Sequence, residues 1–288
     1  MSDAVSVREA LGAAVDALAA VGVDEPRLDA ELLLGEAMGR KRAVLVADPA
    51  AEVPPTAGRK FAEMVRRRLR REPVAYILGR KGFRRLELAV DPRVLIPRPE
   101  TELLVELALE LRPARVLDVG TGSGAIALAV ADELPDAAVT ATDASPAALE
   151  VARANAARLG LDERVRFVEG TLPGEGDGFD LVLANLPYVA ERDWPSLHPE
   201  VTRHEPREAL LAGPEGLDAY RAFIPECSRR FSRYARQRRG ALAVEVGEGQ
   251  AAAVAELMCA AGYGEVETRR VLAGIERIVI GRSVKVEA

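Results

Sequence analysis

Apolar residues recur at helical spacing through about residue 72, and the rhythm then changes twice. Val7, Leu11, Ala14, Val15 and Leu18 predict a first helix that Gly22 can end. A second is expected over "DEPRLDAELLLGEAMG", with Asp24 as cap, Pro26 in the first turn and Gly39 as the stop. Leu28, Leu32 and Leu33 would form its apolar face. A third fits 56–71, so 1–72 reads as a small helical domain without a catalytic constellation. Pro73 breaks the pattern. "AYILGRKGFRRLELAV" predicts a hairpin of two extended runs around Gly79 and Gly82, with Leu86, Leu88 and Val90 alternating. Pro92, Pro97 and Pro99 forbid a helix until after Pro99. Residues 73–97 therefore read as a β-hairpin linker.

From 98 to 288 strand and helix patterns alternate. "ARVLDVG", "AAVTATDA", "RVRFVEG", "FDLVLAN" and "GALAVEVG" are short apolar runs. "GAIALAVADEL", "SPAALEVARANAARLG" and "QAAAVAELMCAAG" are helical, the second capped by Ser145 with Pro146 in its first turn. "EVETRRV" and "GIERIVIG" close the chain as extended segments joined near Ala273 and Gly274. The alternation predicts an α/β, Rossmann-like, doubly wound and mostly parallel sheet with an antiparallel end. Ligands in such sheets bind beyond the carboxyl ends of the strands.

The net charge of −6 argues against bulk attraction to nucleic acid or anionic lipid. "RRRLRR" (66–71) and "SRRFSRYARQRR" (228–239) are basic, and solvated helix faces explain them better than an RNA or acidic-partner surface. Cys227 and Cys259 lack metal spacing, and His198 and His204 have no ligand cluster, so no metal is expected. The N-terminus lacks the order of a signal peptide, and no segment approaches a charge-free membrane span. A cytoplasmic protein is expected.

"LDVGTGSGAIAL" puts Gly120, Gly122 and Gly124, with Thr121 and Ser123 between them, at a strand-to-helix turn. Small residues let backbone approach a ligand, and the helix N-terminus offers free N–H donors. Asp143 ends the next strand, where it can accept hydrogen bonds from ribose hydroxyls. Gly120-x-Gly122-x-x-Ala125 also satisfies the dinucleotide fingerprint, so NAD competes with S-adenosylmethionine. Asp118 would suit a cationic ligand better than a pyrophosphate. The loop alone leaves the choice open.

"NLPY" ends the fourth strand. An amide nitrogen is a poor nucleophile because its lone pair is delocalised. A site can activate it by accepting both N–H protons at fixed points. The Asn185 side-chain oxygen can take one and the Leu186 carbonyl the other. Pro187 fixes the backbone, and Tyr188 can pack on the amide or close off water. A positive sulfonium would supply the driving force, and most of the rate would come from positioning.

With these motifs the chain resembles the release-factor glutamine methyltransferases, the HemK or PrmC proteins. "PVAYILGRKGFRRLELAVDPRVLIPRPETELLVE" looks like the family's linker and "IPRPETE" signature, "LDVGTGSGAIALA" like its methyl-donor loop. "EPREALLAGPEGLDAYR" and "EVGEGQ" look like its later motifs. The resemblance implies S-adenosylmethionine-dependent N5-methylation of the glutamine in the Gly-Gly-Gln motif of peptide chain release factors. It places the donor on Gly120, Thr121, Gly122, Ser123, Gly124 and Asp143, the adenine near Thr171 or Leu172, and the substrate on Asn185, Leu186, Pro187 and Tyr188. Asn185, Pro187 and Tyr188 would be catalytic, with Asn185 also next to the donor. Arg98, Glu100 and Thr101 lie in the signature ahead of the first strand, where helix-start charge explains Glu100 equally well. The family has Pro where this chain has Leu186, which loosens the loop, and often "DLAG" where this chain has Val271.

Residues 189–215 read as a long loop that helps cover the target glutamine. Release factors are the expected partners of a monomer, with no direct nucleic-acid contact. Three alternatives follow from the same residues. The first is a nucleic-acid exocyclic amino methyltransferase, since those amines are also conjugated. The second is a non-catalytic donor-binding module, which Leu186 motivates. The last is an NAD oxidoreductase, for which no general acid or base is evident.

Overall fold

The computed structural model describes residues 5–174, 178–238, 240–271 and 273–283, with the side chains of 231–238 outside that description. Helices α1 (Val7–Ala20), α2 (Pro26–Met38), α3 (Arg42–Ala47), α4 (Pro55–Leu69) and α5 (Val74–Leu78) precede strands β1 (Arg80–Phe83) and β2 (Leu86–Ala89). After α6 (Glu102–Leu111) come β3 (Arg115–Val119), α7 (Ala125–Glu133), β4 (Ala138–Asp143), α8 (Pro146–Leu159), β5 (Val165–Glu169) and β6 (Leu181–Ala184). Helices α9 (Pro199–His204) and α10 (Asp218–Arg238) precede β7 (Ala241–Glu245), and α11 (Ala251–Ala260), β8 (Tyr263–Arg270) and β9 (Glu276–Ser283) close the chain. Two compact units result: the chain up to Arg80 with His198–His204, and Lys81–Leu197 with the chain from Glu205 onward.

In the helical unit, Ser6 and Glu9 form a capping box at the start of α1. Helix α2 starts differently from the expectation. Its N-cap is Glu25, with no side-chain bond, so Asp24 does not cap it; Pro26 at the first turn leaves one donor fewer to satisfy. Its buried stripe is Ala30, Leu33 and Leu34, whereas Leu32 is 37 % exposed. The extended run expected after Pro73 is instead the single-turn α5, closed by Gly79 in the left-handed conformation. Five apolar residues are too few for periodicity to separate helix from strand.

Two arginines of "RRRLRR", Arg68 and Arg71, turn inward. Arg68 bonds Asp29 at 2.7 Å and Glu200 at 2.6 Å. Arg71 reaches Glu200 at 2.7 Å and the carbonyls of Val21 and Gly22. Arg66 and Arg67 pair with Glu63 and Glu72. Arg68 and Arg71 are buried, so they form an internal ionic network rather than a solvated face. In the second basic run, Arg229 and Arg230 pair with Glu226, and the side chains from 231 onward lie outside the described residues.

The α/β unit begins with the β1–β2 hairpin. Its turn is at Arg84 and Arg85, not Gly82. Arg84 has φ +52 and is held there by Glu102 through its N–H and by Glu133 through its guanidinium. The seven-stranded sheet has the order β5-β4-β3-β6-β7-β9-β8, with β3 to β7 parallel and β9 antiparallel to both neighbours. Alternate residues feed opposite cores. Leu181 and Leu183 of β6 join α6 and α7 on one face. Val182 and Ala184 join α10 and α11 on the other. The winding reverses between β3 and β6, whose ends are in register at Val119 and Ala184. A cleft opens at such a reversal.

Candidate active site

Gly120 follows β3 and Asn185 follows β6, so the reversal brings them together. A Cβ on Gly120 would lie 3.7 Å from the Asn185 carbonyl oxygen and 3.8 Å from Leu186 Cδ2, and its φ is +72. Glycine is favoured there by the left-handed backbone conformation. A cavity of about 730 Å³ opens at this point. Of the residues singled out from the sequence, Gly120, Gly122, Asp143, Thr171, Leu172, Asn185, Leu186 and Pro187 line it.

Thr121, Ser123, Gly124 and Tyr188 are not on the lining. Thr121 is buried and donates to Asp118 Oδ2 at 2.6 Å. The Ser123 carbonyl accepts from Asn155, which also brackets Ala89 of the hairpin. A Cβ on Gly124 would come within 2.9 Å of Leu128, so this glycine serves helix packing. Asp118 is fully buried and ties Thr121 to the Ala127 N–H at the start of α7, leaving Oδ1 without a partner. Burial pushes its carboxyl up to about 7. It braces the loop from behind, off the cavity lining.

Asp143 keeps acceptor capacity on the cavity wall. Its Oδ2 accepts from Gly122 N–H at 2.9 Å and its Oδ1 from Ser145 N–H at 2.8 Å. Each oxygen keeps a further lone pair. Thr142 donates to the Thr171 carbonyl at 2.9 Å, fixing the backbone beside the same cavity.

Sequence reasoning missed what surrounds Asn185. Its Nδ2 donates to Thr101 Oγ1 at 3.0 Å, and Thr101 donates to Glu245 Oε2 at 2.6 Å. Glu245 is 2 % exposed, and burial pushes it up to about 7. The available signal was an acidic residue ending the apolar run "ALAVE". Tyr188 packs into the second-face core, and burial raises its phenol to about 12. Gln250 donates to the Tyr188 carbonyl at 2.9 Å and accepts from Gly247, locking the backbone after Pro187.

The stretch 189–215 is not one irregular loop. It holds 3-10 turns at Glu191–Ser196 and Arg207–Ala209 with α9 between them, pieces too short and too often cut by proline to show a period. Glu205 is buried and accepts from Ile96 N–H at 3.1 Å and from Arg98 at 2.5 Å. This joins the "IPRPE" and "EPREA" segments, and Pro206, Glu208 and Ala209 then reach the cavity wall.

Two family models match: a PrmC N-terminal domain over residues 9–79 and a methyltransferase domain over 116–205. The release factor glutamine methyltransferase of Caulobacter vibrioides is 44 % identical over 275 residues, 93 % of each chain. The chain belongs to the release factor glutamine methyltransferase family. The family's member from Moorella thermoacetica is 45 % identical, over 90 % of this chain and 91 % of its own. Among solved structures, the hMettl16 catalytic domain bound to the MAT2A 3'UTR hairpin 6 aligns with TM-score 0.51 and 15 % identity. It covers 70 % of this chain and 76 % of that one, a likeness of fold alone. Among the described residues no helix is long and apolar enough to cross a membrane, and no acidic, cysteine or histidine group could hold a metal.

Proposed function

We propose that this enzyme transfers a methyl group from S-adenosylmethionine to the side-chain amide of the glutamine in the Gly-Gly-Gln motif of release factors. The observation that carries this is the placement of Asn185, Leu186 and Pro187 on the same cavity as Gly120, Gly122 and Asp143. A small-molecule site and an amide-holding loop thus share one wall.

The residues fit the donor. Gly120 leaves space that a Cβ would narrow, and Asp143 presents acceptors suited to ribose hydroxyls. Gly120, Gly122, Asp143, Thr171 and Leu172 would hold it, while Thr121, Ser123 and Gly124 shape the loop from the protein side. When bound, S-adenosylmethionine supplies an electrophilic methyl on a sulfonium.

The chain's part is to present the amide nitrogen. Asn185 Oδ1 accepts one N–H and the Leu186 carbonyl the other, which draws electron density toward the nitrogen and fixes its direction. Pro187 stiffens the backbone at that carbonyl, and Gln250 anchors the chain two residues on through the Tyr188 carbonyl. Tyr188 contributes from the core, by packing behind the loop. Two fixed dipoles in a partly buried cleft need no reorganisation when charge develops, and removing one such group costs about 100- to 1,000-fold in rate.

The inward pairing of Arg68 and Arg71 weakens the support that the basic run 66–71 lends to a nucleic-acid substrate. Mass spectrometry of a release factor treated with enzyme and donor tests the assignment. One added methyl on the glutamine of Gly-Gly-Gln is expected; methylation elsewhere in the factor would contradict it.

A further inference from the structure

We propose that Glu245 and Thr101 are positioning residues that decide which end of the Asn185 amide faces the cavity. The inference rests on the reading that Asn185 holds the target amide.

The three residues meet because of strand parity. Leu183 and Ala243 are paired on β6 and β7, so Asn185 and Glu245, two residues on, emerge on the same face of the sheet. The start of α6 covers that face and places Thr101 between them. Thr101 and Glu245 are 4 % and 2 % exposed.

The chemistry is set by one proton. The Thr101 hydroxyl has a single O–H, and a carboxylate can only accept. At 2.6 Å from Glu245 Oε2 that proton is committed to Glu245. Thr101 can then offer Asn185 only a lone pair, which an N–H of Nδ2 meets at 3.0 Å. Asn185 Oδ1 is thereby left for the cavity, where it can accept an N–H from a substrate amide. The flipped amide would press Oδ1 against the Thr101 lone pairs and aim its own NH₂ at the incoming NH₂. Both ends would then be mismatched.

The order of donors depends on the charge of Glu245. A neutral Glu245 can donate to Thr101, which frees the hydroxyl proton for Asn185 Oδ1 and favours the flipped amide. Burial raises the Glu245 carboxyl most and Glu100 adds to this, while the Thr101 hydrogen bond, then Arg277 of β9 and Arg98 ahead of α6, lower it. The phenols of Tyr188 and of Tyr220 on α10 also face it, and Tyr220 donates to its backbone carbonyl at 2.7 Å. Activity should therefore fall on the acid side as Glu245 takes up a proton.

The test compares Thr101→Val, Thr101→Ser and Glu245→Gln with Asn185→Ala, using a release factor as substrate. Thr101→Val is expected to lower kcat about tenfold or more, the worth of one buried hydrogen bond, with donor Kd unchanged. Thr101→Ser should restore most of that loss. Glu245→Gln should lose the acid limb of the kcat profile at a reduced maximum. Thr101→Val with wild-type kcat, beside an inactive Asn185→Ala, would overturn the relay and leave the reading of Asn185 standing. A fully active Asn185→Ala would overturn that reading itself. Should Thr101→Val fail to fold, an unaltered acid limb in Glu245→Gln would overturn the relay.

Discussion

Asn185 Nδ2 and Thr101 Oγ1 lie 3.0 Å apart although 84 residues separate them in the chain. In the arrangement proposed above, this bond commits Nδ2 to Thr101 and leaves Oδ1 for a substrate amide. Asn185→Ala should therefore reduce methyl transfer by about 100-fold or more. The donor Kd, measured by calorimetry, should stay near the wild-type value, because the proposed holds on the donor are Asp143 and the glycine loop. Full turnover in this variant would sink the mechanism.

Asp143→Ala removes the acceptor for Gly122 N–H and Ser145 N–H as well as the carboxylate itself. Both the loop and the ligand contact suffer, so donor affinity should drop about tenfold or more. Unchanged affinity by calorimetry would count against the donor assignment.

Leu186 replaces a proline that is usual in its family. Its side chain is buried against Gly120 and the second-face core, which explains how leucine is accommodated. Leu186→Pro exchanges that packing for a fixed φ. A lower melting temperature is expected, with a loss of about 1–3 kcal/mol, together with turnover equal to or above wild type. A folded but inactive variant would show that the carbonyl has adapted around leucine.

Asp118 and Glu245 each have a carboxyl raised to about 7 by burial, from ordinary values of 3.8 and 4.5. Both bind protons more tightly in the folded state. Their contribution to stability is complete below about pH 4 and declines as pH rises through 7, by up to about 3 kcal/mol for Glu245. Chemical denaturation of the donor-free protein should show this slope between pH 5 and pH 7.5. Glu245→Gln should flatten it. A slope identical to wild type would mean that Glu245 titrates normally.

Glu200 is held by Arg68 and Arg71 inside the helical unit. Burial disfavours its charge, yet the hydrogen bonds from both arginines outweigh that and keep its pKa low. Glu200→Ala leaves two buried guanidinium groups short of a partner, a cost of about 3 kcal/mol or more. Thermal melts should register it. A shift of less than a degree would mean that water replaces the carboxylate.

Most strands of the α/β unit and helices α7, α8 and α11 were legible because each carries its own apolar pattern, and α8 also its own cap. Ser145 does accept from Ala148 N–H. The placement of Gly120, Asp143 and Asn185 on one cavity was legible because each lies at a strand end. What the sequence hid was either short or distant. Helix α5 spans five residues, too few for a period. Thr101 and Glu245 come into contact with Asn185 only when β7 and the start of α6 meet it, a relationship set by sheet order. The inward turn of Arg68 depended on Glu200, 132 positions away, and a charge run alone reads as a solvated face.

The most direct measurement offers labelled S-adenosylmethionine and purified enzyme three acceptors: a release factor, its variant with the Gly-Gly-Gln glutamine changed to alanine, and nucleic acid. Label on the wild-type factor alone is expected if Asn185 and the Leu186 carbonyl hold a glutamine amide. Equal label on the alanine variant, or label on the nucleic acid, would contradict that account.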